Sequence, residues 1–202
     1  MSIIERGFSQ RSEEWYKARL GNIGASEIDN IITSEGKPSK SRMDYMYRLA
    51  SEIVRGKSDE SFQSQAMIDG QIKEDDARNL FSLIHNVEIE QVGMVYKDER
   101  RLCHCSPDGL ISLDSGIEIK CPLGKTHAKY LIDNKLPTQY YVQIQSSLYI
   151  SERKYWWFMS FCENMRPLLI RVEPDKFYQK ALAIELELFC EELDNVVKKI
   201  RG

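Results

Sequence analysis

Three side chains in the stretch CHCSPDGLISLDSGIEIKCP, Cys103 to Pro122, are of types that could do chemistry together: Asp108, Glu118 and Lys120. The segment SLDSG carries turn residues, and a hairpin folded about Asp114 sets Asp108 opposite Glu118 and Lys120, with facing Cβ atoms about 5 Å apart. Side chains alternate along a strand, so Glu118 and Lys120 share one face while Ile117 and Ile119 point into the core. Two close carboxylates repel unless a positive charge sits between them, and hard divalent cations such as Mg²⁺ favour all-oxygen ligands. An acid on one strand and Glu-x-Lys on the next is what metal-assisted phosphodiester hydrolysis calls for. The cations polarise the phosphate, generate hydroxide and stabilise the leaving oxygen, and the lysine orients or deprotonates the water. Geometry alone leaves a second reading at even weight, a surface hairpin in which Lys120 simply pairs with Glu118.

The chain that must position these groups has 202 residues, the size of one domain. At 42% apolar and 29% charged it has enough material for a core. No run approaches the roughly 18 apolar residues of a membrane span, and the N-terminal segment has no signal-peptide pattern. Five cysteines, an odd number without an export signal, fit reduced thiols in a cytosol. A net charge of −3 argues against a protein that merely coats DNA, since such binding rests on neutralising phosphates. It argues less against an enzyme with a local basic groove.

Hydrophobic period and capping signals predict helices over Ser12–Gly21, from Ser26, over Ser41–Gly56 and over Ser64–Ile84. Three short strands follow, in VEIEQVGMVYKD, RLCHCSPDGLISL and GIEIKCP. Two helices come next, Lys125–Asn134 and Pro137–Ile150, then the strands YWWFMSF and LLIRVE and a last helix from Asp175 to Lys199. The order implies a single mixed α/β domain with a central mixed sheet flanked by helices. Residues 1–85 form its helical N-terminal part, 86–172 the core sheet and 173–202 the C-terminal helix.

SPDG with IEIK matches the PD-(D/E)xK nuclease motif, whose core is that of restriction endonucleases. Three further segments extend the match: ARLGNIGASEIDNII, GQIKEDDARNLF and YYVQIQSSLYI. With them the chain resembles, nearly end to end, the phage lambda exonuclease family, the YqaJ-like viral recombinases. The resemblance implies a Mg²⁺-dependent exonuclease, with Mn²⁺ able to substitute and two ions per site. It would degrade one strand of linear double-stranded DNA from a 5′-phosphorylated end. A ring-shaped homotrimer, a single-strand annealing protein as partner, a role in recombination and a cytoplasmic location in a phage-bearing bacterial host are also implied.

The resemblance assigns roles by position. Asp108, Glu118 and the backbone carbonyl of Ile119 fall on the metal ligands, Lys120 on the catalytic lysine, and Glu74 on a helix-borne acid that organises the attacking water. Gly70, one turn before Glu74, has no side chain to block a close approach. Gln143 falls on a further active-site residue, with Tyr140 on the same helix face at i and i+3, while Tyr141, Ile144 and Leu148 line another. Arg19 and Ser26 fall on the site for the 5′-terminal phosphate, although Gly24 stands where the family commonly has threonine. Ser106, Met67 and Arg42 are weaker candidates for DNA contact: Met67 is placed as a strand-separating wedge, and Arg42 lies in the basic loop KPSKSR.

Other features have plainer readings. Cys103 and Cys105 supply two ligands where structural zinc needs four, so they read as small buried hydrophobes. The aromatic run Tyr155–Phe158 could stack bases, yet reads more simply as core. An iron–sulfur nuclease of the RecB-like kind would want a cysteine before the core strands, and none precedes Cys103. A non-catalytic DNA-end-binding protein would show a broken acid–acid–lysine set, and here the set is whole.

Overall fold

The computed structural model describes residues 1–58 and 65–202, with the side chains of 65–72 outside the description. Strand β1 (Ile3–Glu5) leads to helix α1 (Glu13–Arg19), whose Ser12 cap accepts a hydrogen bond from Trp15 N. Strand β2 (Ile23–Gly24) runs into a single 3₁₀ segment, Ala25–Asn30, where the sequence predicts a short helix. Helix α2 (Arg42–Arg55) stops at Gly56, which takes the left-handed conformation that ends helices most cheaply in glycine. Helix α3 covers Gln65–His85.

Four short strands come next: β3 (Met94–Tyr96), β4 (Cys103–Cys105), β5 (Gly109–Ile111) and β6 (Ser115–Lys120). Helix α4 (Gly124–Asp133), a 3₁₀ turn (Thr138–Tyr140) and helix α5 (Tyr141–Ser151) precede β7 (Tyr155–Ser160), β8 (Leu168–Val172) and the long α6 (Lys176–Arg201).

The strands form two four-stranded sheets, not one. The first has the order β1-β3-β4-β2 and the second β5-β6-β7-β8. The division falls at Ser106-Pro107-Asp108, inside what reads by sequence as one strand. Pro107 has no N–H for a ladder, so β4 ends in the first sheet and β5 starts the second. Strands β1 and β2 are additions to the sequence reading; three and two residues are too short to show a period.

Two apolar clusters hold the layers together. One contains Ile23, Ile28, Met46, Leu49, Trp156 and Phe189, and joins α2, α5 and α6 to both sheets; Tyr45 stacks on Phe189 with ring centroids 5.7 Å apart. The other packs Ala77 and Phe81 of α3 against Ile117 and Ile119 of β6. Helix α5 is buried on nearly every side and touches β3 and β4 of one sheet and β7 of the other, so it wedges the two sheets in place. Trp156 and Phe158 are fully buried in β7, as a core reading of that aromatic run expects. The Trp156 ring fills the space over Gly116, where a Cβ would lie only 2.3 Å from it. No helix among the described residues is long and apolar enough to cross a membrane.

Candidate active site

The β5–β6 hairpin turns at Ser112–Asp114 and pairs Gly109 with Ile117. Just before it, Asp108 N donates to the Ile117 carbonyl at 3.2 Å, and Ile119 N donates back to Asp108 Oδ2 at 2.5 Å. Asp108 is thereby locked across from Glu118, as the sequence spacing predicts. Ile117 and Ile119 are buried on the opposite face against Phe81 and Met159. On the polar face, Glu118 Oε1 receives Lys120 Nζ at 2.7 Å and Gln143 Nε2 at 2.6 Å. Gln143 comes from α5, whose burial between the sheets fixes its approach. Among the described residues no hydrogen-bond donor is directed at Glu118 Oε2.

The electrostatics follow from this crowding. Burial, then the neighbouring Glu118 charge and more weakly Glu74, push the Asp108 carboxyl up to about 8, against the pull of Lys120 and of the Ile119 N–H. Burial disfavours the Lys120 charge, but the Glu118 and Asp108 carboxylates outweigh it and hold the ammonium above its ordinary range. The Lys120 ammonium also lies 5.4 Å over the Tyr140 ring, which stacks on Phe158 at 5.2 Å. Tyr140 thus faces the site from the 3₁₀ turn before α5.

Helix α3 reaches the same place from the other side. Glu74 Oε2 accepts from Arg11 at 2.6 Å, and Arg78, one turn on, donates from Nε to the Asp108 carbonyl at 2.9 Å while pairing with Asp75. Arg11 holds the left-handed conformation, φ 68°, a local strain of the kind found at functional sites. Neither arginine was picked out from the sequence. Arg78 was findable, since it sits at i+4 from Glu74 on one helix face; Arg11 was not, because only the tertiary fold brings it to Glu74.

Glu118, Gln143, Arg19, Ser26, His104 and Ser106 all line one groove of about 1090 Å³. Ser26 is exposed at the start of the 3₁₀ segment. The Arg19 guanidinium lies 4.5 Å over the Trp15 ring, and Trp15 Nε1 donates to Ser106 Oγ at 3.0 Å, so one indole orders both groups. A smaller cavity of about 480 Å³, lined by Arg6, Phe8, Arg11, Glu74 and Arg78, reaches Asp108 from the opposite side.

The donor set suits a hard divalent cation. Asp108 and Glu118 each have one carboxylate oxygen fixed by protein donors, and their mutual repulsion calls for a positive charge. No group of three or more His, Cys, Asp or Glu side chains converges among the described residues, which excludes a cage of side chains there. Mg²⁺ is ordinarily bound by one or two carboxylates, with its remaining positions filled by water and substrate oxygens.

The family model of the YqaJ-like viral recombinase domain matches residues 14–154, which carry Arg19, Ser26, Glu74, Asp108, Glu118, Lys120, Tyr140 and Gln143 but not Arg11. The chain belongs to the YqaJ-like viral recombinase domain family. Its fold is that of an alkaline exonuclease, LHK-Exo, from Laribacter hongkongensis: TM-score 0.84, 26% identity, covering 94% of this chain and 96% of that one. A complex of LHK-Exo with dAMP matches equally well, with TM-score 0.84. A phage-related exonuclease from Haemophilus somnus shares the fold at TM-score 0.68 and 12% identity, over 89% of this chain and 96% of that one. An uncharacterized protein of Acanthamoeba polyphaga mimivirus is 23% identical over 159 residues; the match takes in 72% of this chain but only 28% of that relative.

Within this family fold, Arg42 is not brought to the groove. Arg42 opens α2 and is tied to Glu185 at 3.1 Å and Glu192 at 3.2 Å, with its guanidinium 5.1 Å over Phe189 and its side chain 12% exposed. It fastens α2 to α6. Met67 and Gly70 fall in the part of α3 whose side chains lie outside the description.

Proposed function

We propose that this protein is a divalent-metal-dependent exodeoxyribonuclease that degrades one strand of linear double-stranded DNA, 5′→3′, from a phosphorylated end. The observation that carries the reading is the acid–acid–lysine set, whose Glu118 lines the same groove as Arg19 and Ser26. The resemblance to LHK-Exo over almost the full length of both chains supports a nuclease, and the bound dAMP in that relative suits a mononucleotide product.

Asp108 and Glu118, with the Ile119 carbonyl as a further oxygen, would hold Mg²⁺ or Mn²⁺, which supplies Lewis-acid polarisation of the phosphate and a more acidic water. Gln143 holds Glu118 in one rotamer, and the Ile119 N–H does the same for Asp108. Lys120, anchored on Glu118 and backed by the Tyr140 ring, presents an N–H donor to the attacking water and offsets charge gathering on the phosphate. Glu74, on the opposite side of Asp108, accepts from that water once Arg11 yields its place. Arg19 and Ser26 hold the terminal phosphate, so the first phosphodiester bond from the 5′ end reaches the carboxylates and polarity follows from where the end is held.

The polarity is read with a duplex carrying one label at either the 5′ or the 3′ end of a strand, digested with Mg²⁺. Early release of the 5′ label as a mononucleotide is expected, with a several-fold preference for phosphate over hydroxyl ends that Arg19→Ala removes. Early release of the 3′ label would overturn the proposed direction. A homotrimer around DNA, a recombination role and an annealing protein as partner are the assembly and pathway that go with this reading.

A further inference from the structure

We infer that His104 is a hydrogen-bond donor to the terminal phosphate and a determinant of this chain's selectivity for phosphorylated ends. The inference rests on the reading of Arg19 and Ser26 as the terminal-phosphate site. His104 is the middle residue of β4, 1% exposed, and neither ring nitrogen makes a well-formed hydrogen bond in the protein, the Ile23 backbone being only a weak partner. A buried polar group left unpaired carries a desolvation penalty that a ligand able to pair it removes.

The ligand's chemistry follows from what surrounds the ring. His104 lines the same groove as Arg19, Ser26 and Ser106. Gly24, paired with His104 across β2 and β4, puts no side chain between imidazole and guanidinium. The point where a Cβ would stand is 3.5 Å from both Cε1 and Nε2 of His104 and 3.8 Å from Arg19 Nη2. An oxyanion resting over Gly24 meets a fixed positive charge on one side and the Nε2 edge of the ring on the other. A carbonyl or a cation there would leave Arg19 unanswered.

Burial and then the Arg19 charge pull the imidazole down to about 3, so the ring is neutral and has one N–H to give. The Nε2–H tautomer directs that donor at the space over Gly24. A neutral donor adds little attraction for the backbone phosphates along a duplex, but it discriminates at one point. An end that lacks the phosphate leaves the ring as unpaired as it is in the free protein. The hydrogen bond is therefore made only with the correct end, which is the arrangement that yields selectivity rather than general affinity.

The test compares dissociation constants for blunt duplexes ending in 5′-phosphate or 5′-hydroxyl, measured in EDTA so that nothing is cut. The proteins are wild type, His104→Ala, His104→Asn and Arg19→Ala. His104→Ala is expected to lose about tenfold of the phosphate preference, in line with a hydrogen bond to a charged group, with hydroxyl-end affinity unchanged. His104→Asn, which keeps an N–H, should recover part of the preference. In ¹⁵N-labelled wild type the His104 Nε2 resonance should move with the phosphorylated duplex and not with the hydroxyl one, a readout that needs no variant to fold. A His104→Ala protein with the wild-type preference, or an imidazole resonance indifferent to the phosphate, overturns the inference while Arg19→Ala can still uphold the pocket. A wild type that binds both ends equally overturns the pocket and the inference together.

Discussion

At the residue scale, the two carboxylates are held together by neutral donors and by one lysine, and burial first, then their mutual repulsion, raises the proton affinity of Asp108. The direction of the pH effect follows. A carboxyl whose folded value, about 8, lies above its unfolded value near 3.9 binds its proton more tightly in the folded state. Its ionisation therefore subtracts stability as pH rises between those two values. Asp108→Asn should melt higher than wild type at pH 9 without metal, at about 2–4 °C for each kcal/mol recovered, and the difference should vanish near pH 4. Mg²⁺ should raise the wild-type melting temperature at pH 9 and leave that of the Asn variant nearly unchanged. Equal Mg²⁺ shifts in both proteins, followed by scanning calorimetry, would remove Asp108 from the metal site. Asp108, Glu118 and Lys120 were legible because a two-residue alternation and one turn signal suffice to place them. Arg11 and the unpaired His104 were not, since their significance lies in contacts made across distant segments.

Among the elements, the helices were read to within a few residues wherever a cap and a stop were present, as in α1 behind Ser12 and α2 before Gly56. The sheets were read less well. A two-residue strand such as β2 has no period to detect, and the change of sheet at Pro107 depends on a missing N–H rather than on hydrophobicity. Arg42 shows the same limit, because its position in a basic loop suggests DNA while its partners lie some 150 residues away on α6. Its guanidinium is mostly buried between Glu185, Glu192 and Phe189. Arg42→Ala should then cost roughly 1–3 kcal/mol, between an exposed ion pair and a buried one. Duplex affinity and its slope against salt should stay as in wild type. A slope reduced by about one unit, the signature of a lost phosphate contact, with no change in melting temperature would return Arg42 to the DNA interface.

For the whole molecule, the acidic balance and the groove are reconciled by distribution. The overall charge is −3, yet arginines from the N-terminal segment and α3 gather beside Asp108, and Arg19 of α1 lines the groove that Glu118 lines. The buried α5 joins the two sheets and carries Gln143, so the approach of Gln143 to Glu118 is set by the fold rather than by loops. In the proposed function, a fixed distance from a held end to the carboxylates is what would make the enzyme an exonuclease. The most direct measurement is digestion with Mg²⁺ of the same DNA as a linear 5′-phosphorylated duplex and as a covalently closed circle, with Glu118→Gln alongside. The account predicts that one strand of the linear form is lost, the circle survives and the variant is inactive by at least about a thousandfold, as for loss of a group on which the reaction depends. Cutting of the circle, or a Glu118→Gln protein that still digests the linear duplex, would contradict it.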